Sequence, residues 1–439
     1  MTSRRKWLAA GLAATTIAGL TACSSGTETP TAGDGDGPVT IEVWGWNAET
    51  GEQIAEAFNA AQDDVKVKYV LQASNTATQT NFRNAFEAGN DLPCLVQGFA
   101  PLTTMVVNGW AADITDVVKA SADIYSEGAL AAAEVNGKYY GTPSGSDGQF
   151  LVINKATYDK FGVPVPETWD DFIEAGRVFK EQGVDVTNLA GEDPSTLLNL
   201  VQQSGAEWFA IDGDQWVVDL TGDESLAAAD VVQQLIDGDY VSNQTYQDKP
   251  ALYAYYDSGN MASTTTQWWS LGGMATNFSA SLGSWEAVPI PQFADAEEPV
   301  TPGRTTPSFV PTGCESPEAV MAFVDWLATE DGIEAGRNEE TGAIGFPTQI
   351  PDPSAYVDEV VPEGFFADPE KAADEIVFAQ EHVIGKFEMG PNYDAWFPEL
   401  QDQWGKAVAG EITVADALQA TEDFIASDLD SKGIDYAVE

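Results

Sequence analysis

The side chains of this sequence give little support for acid–base or nucleophilic catalysis. His382 is the single histidine, so a Ser-His-Asp triad would have to use it, and no serine stands in a Gly-x-Ser-x-Gly motif. Histidines and cysteines do not form a zinc-ligand set, so no metal or cofactor is expected. A glycoside hydrolase needs only two carboxylates, and because the chain has 70 acidic residues, their presence decides nothing. Catalysis on sugars therefore stays a second hypothesis.

Net charge excludes one class of partner. The chain has 19 basic and 70 acidic residues, giving a formal charge of −51. Such a surface repels phosphate backbones and anionic membranes, which argues against nucleic acid as a partner. A neutral ligand such as a sugar, or a cationic ligand, is compatible with this charge.

The first residues have the composition of an export signal. A basic start at Arg4, Arg5 and Lys6 precedes an apolar run over residues 8–20, too short for a permanent membrane span. The run ends in Leu-Thr-Ala-Cys, which resembles the lipobox of bacterial lipoproteins. We predict a signal peptide over residues 1–22, lipid on Cys23 and a flexible tether over residues 23–38. The alternative is an ordinary secretory signal followed by an unrelated cysteine.

Strand and helix patterns alternate from residue 39 onward. Residues 40–44 and 65–71 read as strands, residues 51–62 and 78–88 as helices, and a third strand begins at Cys94. Strands separated by helices predict a parallel sheet, whose ligands lie beyond the carboxyl ends of the strands. That rule selects four candidate ligand contacts: Trp46, Asn47, Asn75 and Phe99.

The stretch over residues 134–172 organises the rest of the chain. Asn136-Gly137 predicts a type I′ hairpin, and the apolar run 150–153 predicts a strand buried on both faces. Thr168 can cap a helix that begins at Trp169. From Asn-Gly-Lys at 136–138 to Thr-Trp-Asp-Asp-Phe at 168–172, the order and spacing of motifs resemble one segment of the extracellular solute-binding proteins of ABC importers. The resemblance is to the sugar-binding branch that includes maltose-binding protein, and it can be followed from about residue 40 to about residue 426.

This resemblance implies an α/β fold of the periplasmic-binding-protein type. Its two lobes would each contain a mostly parallel sheet flanked by helices, and three hinge crossings would join them. The first lobe would comprise residues 39–147 and 303–345, and the second residues 148–302 and 346–439. A chain of 439 residues also exceeds what a single core normally serves.

The resemblance further implies a ligand cleft between the lobes. A pyranose has an apolar C–H face that a tryptophan can cover and a fringe of hydroxyls that carboxylate, amide and guanidinium groups can bind. We expect Trp268 to be the stacking residue, with Trp269 the next choice. Arg304, at a crossing, would bind hydroxyls or a carboxylate, or else form a salt link between the lobes. The remaining candidates are Ser146, Asp147, Trp208, Gln267, Asn392, Tyr393 and Trp396.

A disulfide is also implied. In this family the strand that returns to the first lobe lies antiparallel to the third strand, which brings Cys314 close to Cys94. The chain would enter an oxidising compartment, so we predict a Cys94–Cys314 bond. Two buried free thiols are the alternative.

The functional prediction is an extracellular, lipid-anchored, monomeric binding protein of an ABC importer. It would capture a neutral oligosaccharide and deliver it to permease subunits in the membrane, with no enzymatic activity. Several tryptophans near the predicted cleft favour an oligosaccharide over a monosaccharide. The alternatives are a secreted glycoside hydrolase, a lipid-anchored lectin or adhesin, and the same fold binding a polyol, polyamine or peptide.

Overall fold

Most of the predicted mature chain is described by the structure. The computed structural model describes residues 37–98, 101–213, 215–305, 307–338, 342–384 and 387–439, without the side chains of Thr76 and Arg304. Some predictions concern residues outside this set: the signal peptide, residues 23–36 of the tether, Cys23, Phe99 and the side chain of Arg304.

A parallel sheet with the strand order β2-β1-β3 organises the first lobe. The elements up to residue 139 are β1 (Val39–Gly45), α1 (Gly51–Ala61), β2 (Val65–Leu71), α2 (Asn75–Ala88), β3 (Leu95–Val96), α3 (Leu102–Val107), α4 (Thr115–Lys119), a 3-10 turn (Ala122–Ile124), α5 (Glu127–Ala132), β4 (Glu134–Val135) and β5 (Lys138–Tyr139). Alternation in β1 buries Ile41 and Val43, and parallel pairing with β2 and β3 confirms the sheet predicted for this lobe.

The remaining elements form the second lobe and the segments that return to the first. They are β6 (Asp147–Gly148), β7 (Phe150–Asn154), α6 (Lys155–Phe161), α7 (Trp169–Lys180), β8 (Thr187–Asn188), α8 (Ser195–Gln203), β9 (Phe209–Asp212), β10 (Gln215–Val218), α9 (Asp223–Asp237), β11 (Val241–Ser242), α10 (Lys249–Asp257), β12 (Ser263–Thr266), α11 (Trp268–Asn277), β13 (Trp285–Val288), β14 (Gly303–Arg304), α12 (Pro317–Leu327), α13 (Glu330–Ala335), a 3-10 segment (Ser354–Glu359), α14 (Pro369–Glu381), α15 (Tyr393–Val408), α16 (Val414–Lys432) and β15 (Tyr436–Val438). Within the described part of the chain, every helix is too short or too polar to span a bilayer.

Strand β7 is the centre of the second lobe. Leu151 and Ile153 pack into one hydrophobic cluster, with α7, α8, α9 and α16, whereas Phe150 and Val152 pack into another, with α11 and α14. Side chains alternate between the faces of a strand, so this division confirms the prediction that the strand is buried on both faces.

The prediction of a mostly parallel sheet is wrong for the strands around β7. Both neighbours, β12 and β13, pair with β7 in the antiparallel sense. A short single-helix connection favours parallel strands, but more than a hundred residues separate Asn154 from Ser263, and a connection of that length leaves the direction open. The lobe does contain parallel pairs, between β8 and β11 and between β10 and β15.

The hairpin turn and the helix cap predicted from local sequence are present in the structure. Asn136 and Gly137 both have positive φ and turn the chain between β4 and β5, as a type I′ turn requires. Thr168 and Thr413 each form a capping box, with Asp171 and Asp416 respectively. These caps explain why α7 and α16 begin where the sequence indicated.

Two contacts fix the returning segment. Val96 and Phe309 form an antiparallel bridge, and the neighbouring Cys94 and Cys314 are joined by a disulfide with their Cα atoms 5.0 Å apart, which confirms the predicted pairing. Gly303 and Arg304 in β14 pair with Gly148 and Asp147 in β6. Two of the segments predicted to cross between the lobes therefore lie side by side.

Candidate ligand-binding cavity

A cavity of about 870 Å³ lies where elements of both lobes meet. This volume is near the upper end of the range, about 300–1,000 Å³, that small-molecule sites occupy. Six of the predicted contacts line it, from both lobes and the first crossing: Trp46, Asn75, Asp147, Gln267, Trp268 and Trp269.

Trp268 is held in the cavity by contacts with two other side chains. It is the first residue of α11. Its indole N–H donates to Oδ1 of Asp147 at 2.8 Å, and its ring meets Phe346 edge to face at 6.3 Å. By contrast, Trp269 is 57% exposed. The first ring is thus held in place, and the second is open to solvent.

Asp147 introduces a carboxylate beside that ring. Burial raises the pKa of Asp147 to about 6, although the hydrogen bond from Trp268 lowers it part of the way back. At neutral pH the group is therefore a carboxylate, which only accepts hydrogen bonds.

One wall of the cavity was missed by the sequence analysis. It comes from α8 and from the segment around α10, and its side chains mix rings and polar groups: Asn199, Tyr246, Lys249, Tyr253 and Tyr256. The Lys249 ammonium lies 5.7 Å from the centroid of the Tyr246 ring. The spacing of Tyr253 and Tyr256 on α10 was the available signal, since residues three apart share a helix face.

Gln149, on the first crossing, was also missed. Its side chain lines the cavity and is only 6% exposed. The sequence offered one signal, because Gln149 follows Asp147 by two residues in an extended segment and so points to the same side.

Two tryptophans that we predicted to contact the ligand, Trp208 and Trp396, belong to the hydrophobic core instead, so this prediction is wrong. Trp208 and Trp396 are 0% and 1% exposed, and their ring centroids lie 6.1 Å apart. The Trp208 indole donates to Ser225. Trp396, in the first turn of α15, packs in the apolar interior of the second lobe, so it stabilises the fold and does not line the cavity.

Four further predicted contacts have structural partners and do not line the cavity. Asn47 accepts the N–H groups of Glu49 and Thr50 and so forms the turn before α1. The hydroxyl of Ser146 is hydrogen-bonded to that of Thr305. Asn392 donates to Asp428 at 3.2 Å. Tyr393 stacks on Phe397 with ring centroids 4.7 Å apart.

The arrangement suits a polar ligand with apolar faces. Tryptophan and tyrosine rings can cover C–H surfaces, while amide, hydroxyl and carboxylate groups bind at the edges. Among the described residues, no group of three or more His, Cys, Asp or Glu side chains could hold a metal ion. The fold and cavity together define a two-lobed binding protein.

Residues 44–334 match the family described as bacterial extracellular solute-binding protein. The match covers well over half of the chain, and the chain therefore belongs to this family.

Among curated proteins, the chain is similar to an arabinooligosaccharide-binding protein of Halalkalibacterium halodurans. The two are 27% identical over 166 residues, which is 36% of this chain and 37% of that protein. The matched stretch thus spans little more than a third of the relative.

Solved structures resemble almost the whole chain. One is the galacto-N-biose-/lacto-N-biose I-binding protein of the ABC transporter from Bifidobacterium longum, in complex with lacto-N-biose. It has a TM-score of 0.78 and 22% identity, covering 92% of this chain and 100% of that one. Another is the ABC transporter associated binding protein from B. animalis subsp. lactis, in complex with beta-1,6-galactobiose. Its TM-score is 0.73 at 22% identity, covering 91% and 99%. At such identities the likeness shows the two-lobed fold.

Proposed function

We propose that this protein is the extracellular binding component of an ABC importer and captures a neutral oligosaccharide between its lobes. The observation that carries the proposal is the shared cavity, where Trp46, Trp268 and Trp269 lie beside Asn75, Gln267 and Asp147. Flat apolar surfaces next to hydrogen-bonding groups match the faces and the fringe of a sugar ring.

The size of the cavity favours more than one sugar ring. Its volume of about 870 Å³ and its separate aromatic groups, at Trp46, at Trp268 and around Tyr253, provide several stacking surfaces. The similar proteins named above include one named for arabinooligosaccharides and two solved with disaccharides bound, which supports the same class of ligand here.

The finer features of the proposal concern delivery and attachment. The protein would be a monomer held at the outer face of the cell membrane by lipid on Cys23, with residues 39–147 and 303–345 in one lobe and the rest of the folded chain in the other. Closure of the lobes around the sugar would present the complex to the permease. It would bind the sugar without cleaving it.

Binding and turnover can be tested together. Purified protein is titrated with lacto-N-biose, β-1,6-galactobiose, arabinotriose, maltotriose and spermidine, following tryptophan fluorescence and thermal unfolding. We expect saturable stabilisation by at least one sugar, recovered intact after incubation. Cleaved sugar would support the hydrolase alternative, and a response to spermidine alone would overturn the sugar assignment.

A further inference from the structure

Gln149 has a buried acceptor with no hydrogen-bond partner among the residues that the structure describes. Its side chain is 6% exposed and lines the cavity, and within the described residues no donor hydrogen-bonds to its Oε1. Its backbone N–H is satisfied by the carbonyl of Pro302 at 3.0 Å. This oxygen is closed to solvent, so Nε2 is the amide atom through which Gln149 can reach a ligand in the cavity. Because an unpaired buried acceptor costs free energy, the stability of the fold does not explain why glutamine stands here.

The local backbone directs two side chains to the same side. Gly148 faces helix α14, where a Cβ atom would lie 2.3 Å from the carbonyl oxygen of Ala379. Asp147 and Gln149, the residues before and after it, both line the cavity, as alternation in an extended segment requires. The glycine thus lets the helix cover one side of the segment while two polar side chains face the cavity on the other.

The side chains of Asp147 and Gln149 have complementary hydrogen-bonding groups. One carboxylate oxygen of Asp147 accepts the Trp268 indole N–H, and a carboxylate has further lone pairs to accept from a ligand. The amide of Gln149, whose Oε1 is closed to solvent, can donate through Nε2. The Asp147 carboxylate lies beside the edge of a tryptophan ring whose position that indole hydrogen bond fixes.

We propose that Asp147 and Gln149 form one subsite that binds two neighbouring hydroxyl groups of a single sugar ring, while Trp268 covers the apolar face of that ring. One hydroxyl would donate to the Asp147 carboxylate, and the other would accept from the Gln149 amide. This inference rests on the proposed function and adds the chemical group recognised at the first crossing. A ring bearing a carboxylate at this position is disfavoured, because Asp147 would repel it.

The test replaces Gln149 with an apolar side chain of similar shape. Gln149→Met removes the buried acceptor, so we expect unfolding without sugar to occur at the same or a higher temperature. Affinity for whichever of lacto-N-biose, β-1,6-galactobiose, arabinotriose or maltotriose binds should fall 10- to 100-fold by calorimetry. Unchanged or higher stability together with weaker sugar binding would show that Gln149 binds the ligand. A residue with only a structural role would lower the stability of the protein when replaced.

Gln79 provides a matched control. Its Nε2 is also buried with no partner among the described residues, but it lies on α2 and does not line the cavity. Gln79→Met should leave sugar affinity within about twofold of the wild-type value. If Gln149→Met does not fold, Gln149→Leu replaces it in the same comparison.

Deoxy sugars test the pair of hydroxyls directly. Removing one of the two hydroxyls from the tightest-binding sugar of the panel should weaken binding to the wild type about tenfold. Of the two monodeoxy sugars, the one without the hydroxyl that contacts Gln149 should bind Gln149→Met no more weakly than its parent sugar does. The one without the hydroxyl that contacts Asp147 should bind more weakly than its parent to both proteins. The inference is overturned if Gln149→Met binds the parent sugar as tightly as the wild type, or if spermidine alone binds and loses affinity in this variant. If the wild type binds none of the sugars, the proposed function fails and this inference fails with it.

Discussion

Trp268 shows how a single residue can combine stacking with orientation. Its ring contacts the Phe346 ring on one side and its N–H is held by Asp147 on another. The neighbouring Trp269 is mostly exposed. We therefore propose that Trp268 provides the inner stacking surface for a sugar and Trp269 an outer one.

Trp268→Phe should weaken sugar binding about tenfold, because phenylalanine keeps an aromatic face but has no N–H to hold it. Calorimetric titration measures the change. Trp269→Phe is the control and should cost threefold or less. A larger loss for Trp269→Phe than for Trp268→Phe would contradict the assignment.

Glu375 makes the stability of the protein depend on pH. Its side chain is 7% exposed within α14. Burial raises the pKa of Glu375 to about 8 from 4.5, and Lys371 lowers it only in part. The folded protein therefore keeps a proton that the unfolded chain releases. The resulting stabilisation is complete below pH 4.5 and is lost as the pH rises through about 8.

Glu375→Gln should raise the free energy of unfolding by about 2–4 kcal/mol at pH 8 and by under about 1 kcal/mol at pH 5. Urea denaturation at both pH values measures the difference. Glu381→Gln, exposed at the end of the same helix, should change little at either pH. An equal effect of Glu375→Gln at both pH values would mean that the carboxyl group is not protonated on folding.

At the scale of elements, the Cys94–Cys314 bond joins two segments that are far apart in sequence. It closes a loop with a separation of 220 residues and lies beside the Val96–Phe309 bridge that holds the returning segment in the first lobe. Its position outside the cavity lining gives it a structural role.

Replacing both cysteines with alanine should lower the free energy of unfolding by about 2–4 kcal/mol, since a disulfide restricts the unfolded chain. Sugar affinity should stay within threefold, because the bridge does not touch the cavity. Urea denaturation and calorimetry measure the two quantities. A loss below 1 kcal/mol, or a large loss of affinity with stability retained, would contradict this role.

Individual elements also show what the sequence could predict. The turn at Asn136-Gly137 and the strand β7 were predictable because their signals are local: a dipeptide suited to positive φ and a continuous apolar run. Trp208 and Trp396 were assigned to the cleft because composition does not distinguish a ring that lines a cavity from one that fills a core. Gln149 and the tyrosines near α10 were missed because their neighbours in the cavity are remote in sequence.

At the scale of the whole molecule, the lobes also meet away from the crossings. Arg83 on α2 lies 3.5 Å from Asp394 on α15, with both side chains partly exposed. Tyr393, next in the chain, packs against hydrophobic clusters of both lobes. This second contact area would favour closure of the two lobes. The contribution of its ion pair should decrease as salt concentration rises, because salt screens partly exposed charges.

Arg83→Ala should weaken sugar binding by about 1.5- to 5-fold at low salt, the range expected for a partly exposed ion pair of about 0.2–1 kcal/mol. The difference from the wild type should disappear in 0.5 M NaCl. Calorimetry at both salt concentrations is the measurement. Arg177→Ala is the control, because it removes two ion pairs that lie within the second lobe, with Glu174 in α7 and with Glu181 just after that helix. Its effect on sugar affinity should be small at both salt concentrations. A salt-independent loss in Arg83→Ala would rule out an electrostatic contribution to closure.

The hydrogen bond between Trp268 and Asp147 has a consequence for how fast a ligand is captured and how long it stays. The ring is already fixed before a sugar arrives, so the entropy of ordering it is not lost during binding. Capture can then proceed at the rate of productive encounters. Differences between good and poor sugars should appear in the dissociation rate and so in the lifetime of the complex. A carrier that must hold its cargo until it reaches a transporter depends on that lifetime.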